Sequence, residues 1–170
     1  MITIPKFQRN IEYRELSPLE GKYKYRFILL KPITFTTTFS LFPDNIEVLF
    51  RDTKNREWMK MTQNSIIIPA QYAWNGASPK KYVKGLGWIG TMDFPKTMLA
   101  TVVHDALCQF LDADYFPLYR ADCDDIFRTI LDKNDFKLTD MYYIGATIGT
   151  LLNLKTTTQS KSILNVRIDK

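Results

Sequence analysis

The one histidine of this chain, His104, is followed directly by Asp105 in the run Thr101-Val-Val-His-Asp-Ala-Leu-Cys108, and a second acidic run, Asp122-Cys-Asp-Asp125, comes soon after it. An imidazole with one nitrogen held by a carboxylate is a ready general base, because the carboxylate orients the ring and stabilises its protonated form. On helical wheels of about 100° per residue, His104 lies at one edge of an apolar stripe centred on Val103 and Phe110, and Asp105 lies across toward the polar side. Asp124 borders the stripe of the following helix, beside Phe127 and Leu131. A short connection favours antiparallel neighbours. His104 and Asp124 are therefore expected to face each other, as base and orienter, with a pKa near neutrality. The alternative is structural: a satisfied histidine at an apolar edge, with Asp124 paired to Arg120 four residues earlier. Asp112, Asp114 and Asp122 read as solvated loop and cap residues.

Gly85-Leu-Gly87-Trp-Ile-Gly90 matches a dinucleotide fingerprint by letters only, since no strand-turn-helix unit surrounds it. A glycine loop can instead offer carbonyls to a hard cation, so Gly85 and Gly87 with Asp105 form a candidate calcium set. A turn relieved by glycine over Trp88 explains the same residues. Zinc is disfavoured, because one histidine and two scattered cysteines make no zinc site. Trp74-Asn75-Gly-Ala-Ser78-Pro79 is a tight turn by its chemistry, of use to a substrate or to the fold. Ser78 as a nucleophile lacks the surroundings of a nucleophile elbow.

These residues need elements to place them. The sequence predicts an α+β chain: an N-terminal antiparallel β-sheet, then a three-helix segment, then a C-terminal strand or extended tail. Strands are expected at 25–30, 33–41, 46–50, 57–61 and 65–69, with a hairpin loop at Arg51–Arg56. Residues 71–96 form a Gly/Trp-rich loop. From Leu99 the apolar period becomes helical, with Pro95 in a first turn and Pro117 as a stop. A second helix starts near Leu118 and ends near Lys133-Asn134. Thr139 is the expected N-cap of a third. The helical half runs 97–154 and the tail 155–170, in which 162–169 reads as a last strand that returns to the sheet or docks on a neighbouring subunit. One domain over 1–170 is expected, with a β-rich half at 1–70.

The 170 residues are 45% hydrophobic and 24% charged, which suits a folded domain and excludes a disordered one. Cys108 and Cys123 read as small buried residues. Neither a signal peptide nor a membrane-spanning run is read from the sequence, so synthesis in the cytoplasm is expected. The net charge of +5 favours anionic partners. Its lysines and arginines are dispersed, so a nucleic-acid binder has little support.

Three segments in order, Trp74-Asn-Gly-Ala-Ser-Pro79, His104-Asp-Ala-Leu-Cys108 and Arg120-x-x-x-Asp124-x-x-Phe127, resemble a family frequent in phages and prophages, domain of unknown function 1353. The likeness spans about residues 65 to 150. Asn75 stands where that family has Asp, Cys108 where it has Tyr, and Ser78 is followed at once by proline. The resemblance implies a phage or prophage source and no established activity. The two-helix part also resembles the His-Asp helix of small calcium-dependent phospholipases. That likeness implies His104 as base, Asp105 with Gly85 and Gly87 as calcium ligands, and Asp124 as orienter, although the stapling cysteines of those enzymes are absent. Two functions are then open. One is a calcium-assisted ester or phospholipid hydrolase, carried in the virion or acting at an anionic membrane surface. The other is a non-catalytic virion or tail-associated protein that contacts other particle proteins and oligomerises through a sheet edge or the tail.

Overall fold

The computed structural model describes residues 10–22, 24–43, 46–52, 54–77, 80–151 and 164–169. The α+β expectation holds: two antiparallel sheets and a separate hairpin, with three helices that follow the main run of strands. A five-stranded sheet contains β3 (Ile33–Thr36), β4 (Ile46–Arg51), β5 (Glu57–Met61), β6 (Ser65–Ile68) and β10 (Leu164–Asp169), in the order β10-β4-β5-β6-β3. The period of two is visible in its pairing. Ile33 sits opposite Ile68 and Phe35 opposite Ile66, all four buried, while Thr34 between them is exposed. The Arg51–Arg56 loop closes as expected. Asp52 accepts backbone hydrogen bonds from Lys54 and Arg56 at 2.8 and 3.0 Å, so the side chain takes the place of a turn's own carbonyl. The last strand returns to the sheet, pairing antiparallel with β4.

A three-stranded sheet holds β1 (Tyr13–Glu15), β2 (Phe27–Leu29) and β7 (Ala73–Trp74), in the order β1-β2-β7. The expected long connection at 71–96 is broken up: it holds β7 and then a hairpin of β8 (Lys80–Val83) and β9 (Gly87–Gly90). Strands of two to four residues leave too little alternation to be read from sequence.

Helix α1 (Met98–Gln109) is the centre of the molecule and is entered through a 3-10 turn at Pro95–Thr97. All of its residues are buried except His104 and Asp105, which are half-buried. On one side Phe110, just past its end, packs on Phe50 of β4 with ring centroids 5.2 Å apart. Trp74 of β7 donates to Thr101 at 3.1 Å. On another side lies α2 (Arg120–Lys133), which bears Cys123, Ile126, Ile130 and Leu131 as its buried stripe. Helix α3 (Thr139–Leu151) packs on α2. Thr139 is the first residue of that helix, and its hydroxyl donates back to Phe136 O at 2.7 Å instead of capping forward.

Candidate functional site

Helix α1 presents His104 to α2, and α2 presents Asp124 to α1. The imidazole Nε2 lies 2.7 Å from Asp124 Oδ1. A carboxylate can only accept, so Nε2 carries the proton and donates it. Arg120 Nε donates to the same oxygen at 3.2 Å, which realises the i,i+4 ion pair. The carboxylate is sealed, with its side chain 4% exposed; the imidazole is 12% exposed and the guanidinium 23%. The Phe127 ring covers one side of the imidazole at 4.9 Å. Cys108, one turn along α1, places Sγ 3.5 Å from the same Nε2. These contacts all engage Nε2, and no hydrogen bond from Nδ1 to a described residue accompanies them.

The charge of the ring departs from the expectation. Burial alone would disfavour an imidazolium, but Cys108, Asp124 and Asp105 outweigh it and raise the pKa of His104 to about 10. The Cys108 thiol is itself pushed far above its usual range by its hydrogen bond to Cys123 and by burial, so it is neutral. The lasting negative charges are therefore Asp124, in contact, and Asp105, behind it. The direction departs from the near-neutral pKa expected from the sequence: against burial, Cys108, Asp124 and Asp105 bias the ring toward its protonated form.

Asp105 is half-buried, although the helical wheel put it toward the polar side, because α1 is covered on more than one side. It faces two phenols. Tyr25 is pushed up to about 12 by burial and then by Asp105. Tyr72, fully buried, is raised well above its usual value by burial, then by Asp105, Tyr25 and Cys108. The Tyr72 hydroxyl donates to Gln109 Oε1 at 2.8 Å. Gly85 in the β8–β9 turn and Gly87 at the start of β9 have φ of +88° and +84°, a conformation that glycine adopts without strain. Space is open around both, since a Cβ at either would meet nothing within 4 Å. Among the described residues, no three His, Cys, Asp or Glu side chains converge to hold a metal ion.

Trp74 is buried, packed on Phe27 and Tyr13, so it serves the fold. Asn75 is half-buried, and its Oδ1 is sealed with no bond to a described residue. Ser78 falls outside the described residues. The turn that follows Trp74 is held by a group the sequence did not announce. Asp93 Oδ1 accepts from the Ala77 backbone at 2.8 Å, and Asp93 Oδ2 accepts from Arg26 at 2.9 Å. Gly76 passes so near that a Cβ there would lie 2.1 Å from Asp93 Oδ1. Cys108 was also missed as a neighbour of His104, although its i,i+4 spacing was a usable signal.

Comparison with family models, with curated proteins and with solved structures finds no match. The likeness to the phage family rests on the quoted residues alone.

Proposed function

We propose that this chain is a non-catalytic phage particle protein in which His104, Asp124 and Arg120 act as an interhelical clamp. The observation that carries this reading is the shared oxygen: one sealed carboxylate oxygen takes bonds from both an imidazolium and a guanidinium. A cationic imidazole has no lone pair to take a proton from water. A buried ionic group of this kind fixes how two helices meet more than it adds net stability. An assembly role has support at the surface. On α3 and the turn that leads into it, Leu138, Met141, Ile144 and Ile148 are 43–57% exposed at near-helical spacing. Exposed apolar side chains repeated along one helix suit a contact surface. No helix among the described residues is long and apolar enough to cross a membrane.

A second reading, an ester hydrolase, is favoured by one observation. Asp124 engages Nε2, so at alkaline pH the lone pair of the deprotonated ring lies on Nδ1, the nitrogen away from that carboxylate. One experiment separates the two. Wild type and His104→Ala are assayed for fatty-acid release from mixed anionic vesicles, with and without calcium, at pH 7 and pH 10, and are melted in parallel. The clamp reading expects no release by either protein and a lower melting temperature for the variant. Release by wild type that His104→Ala abolishes would establish the hydrolase and overturn the clamp as the role of this site.

A further inference from the structure

The β8–β9 hairpin is a sheet of two strands that pairs with neither larger sheet among the described residues. Its base is pinned and its tip is bare. The Asp93 side chain closes the base. Ala77, whose backbone N–H donates to Asp93 Oδ1 at 2.8 Å, comes three residues before β8, and Asp93 comes three after β9. At the tip the Leu86 backbone N–H donates to Val83 O at 3.0 Å and turns the chain. Lys84 is exposed, Leu86 is 74% exposed, and the space around Gly85 and Gly87 is open. Positive charge gathers here. No Asp or Glu lies between Glu57 and Asp93, whereas Lys80, Lys81 and Lys84 all fall on the hairpin, so it carries +3 of the chain's net +5. Its other residues are aromatic, aliphatic or glycine, and Tyr82 stands opposite Trp88 in the register. We propose that this hairpin docks the protein on an anionic phospholipid bilayer, with Leu86 entering the interface and the cationic strands held at the headgroups.

Cations alone attract any polyanion, nucleic acid included. The apolar tip decides between them. A phosphate backbone gives an exposed leucine nothing to bury against, whereas the boundary between headgroups and acyl chains does. Tyr and Trp suit the same depth, since an apolar ring with a polar edge settles at headgroup level. Lasting membrane attachment takes two signals, and the hairpin joins a basic segment to an apolar one. A two-stranded hairpin is also marginal in water by itself, so a surface that covers it adds to its order. This attachment needs nothing from His104 and stands whatever that site does.

The test floats the full chain with vesicles of phosphatidylcholine alone, and with vesicles of phosphatidylcholine and phosphatidylserine in equal parts. Flotation is expected with the anionic vesicles only, and it weakens as salt is added. Lys80→Gln, Lys81→Gln and Lys84→Gln together are expected to lower partitioning by roughly 100-fold. The same charge change at three exposed lysines elsewhere, Lys24→Gln, Lys54→Gln and Lys137→Gln, is expected to cost far less. Leu86→Ser leaves the charge intact at a position the core does not use, and a loss of about tenfold is expected. Circular dichroism checks that each variant is folded, and Leu86→Ser carries the test if the hairpin triple is not. Brominated acyl chains are expected to quench Trp88, with the quenching lost in Trp88→Phe, because Trp58 and Trp74 are buried. The proposal is overturned by no flotation, by equal flotation with both vesicles, by equal losses from the two lysine triples, or by a Leu86→Ser protein that binds as wild type does. Binding to a DNA duplex that the hairpin triple abolishes, with vesicles ignored, would assign the hairpin to nucleic acid instead.

Discussion

Asp124 and Asp93 are both buried aspartates set against an arginine, and they hold different kinds of structure. Asp124 joins two regular helices, through His104 and Arg120. Asp93 joins irregular segments: it ties the backbone after β7 to Arg26 at the start of β2, and Arg26 also reaches Glu15 of β1 at 2.7 Å. One clamp includes a partner whose charge changes with pH. The other pairs with a guanidinium, which stays charged, and with a backbone N–H that does not titrate. The first can therefore be loosened by base, and the second cannot.

The comparison is broken most forcefully by removing each carboxylate. Asp124→Ala leaves two cations facing each other in a sealed seam, and a loss of about 3–5 kcal/mol in denaturant unfolding is expected. Asp93→Ala strands one backbone N–H and a partly solvated arginine, and about 2–3 kcal/mol is expected by the same measurement. Equal losses would remove the distinction between the two clamps.

A backbone change sharpens the second clamp. At Gly76 the φ of +77° and the nearness of Asp93 and Phe27 both oppose a side chain. Gly76→Ala is expected to cost about 1–3 kcal/mol, and Gly85→Ala less, since its φ is similar but the space around it is open. Thermal melts of the two variants would test that order.

The pH response sharpens the first. His104 has a folded pKa raised above its ordinary value of 6.5, so its contribution is full below about 6.5 and is lost as pH rises through about 10. Stability of wild type is expected to fall over that window. His104→Gln, less stable at pH 7, is expected to lose the His104-linked part of the slope. An unchanged slope in the variant would place the alkaline sensitivity elsewhere. The smallest effect is expected at Tyr142→Phe, which removes a 2.6 Å hydrogen bond to Met92 O beside Asp93, at about 1 kcal/mol in the same unfolding measurement.

The two clamps were unequally legible in the sequence. The meeting of His104 and Asp124 followed from a period of 3.6 on two helices and a short link between them. Regular elements convert spacing into direction, and here the conversion was right. What spacing could not give was the environment. Asp105 lay on the polar side of an isolated wheel, yet α1 is covered on more than one side, and that covering half-buries Asp105 near His104. The Asp93 clamp was illegible. Its partners are 67 and 16 residues away, on the flank of a short strand and in a turn, where no period relates position to direction. The short strands within 71–96 escaped for the same reason. The main sheet was legible because β3 alternates plainly, with Ile33 and Phe35 buried and threonine between them, and β6 is a short apolar run.

His104 is the one histidine of the chain, so its C2 proton gives a single, unambiguous resonance for titration. If the clamp is real, that resonance stays in its imidazolium position through pH 7 and moves with a midpoint near 10. In Asp124→Asn the midpoint falls by several units. A wild-type midpoint at or below 6.5 would mean a neutral ring at pH 7, and the clamp would give way to a base poised for catalysis.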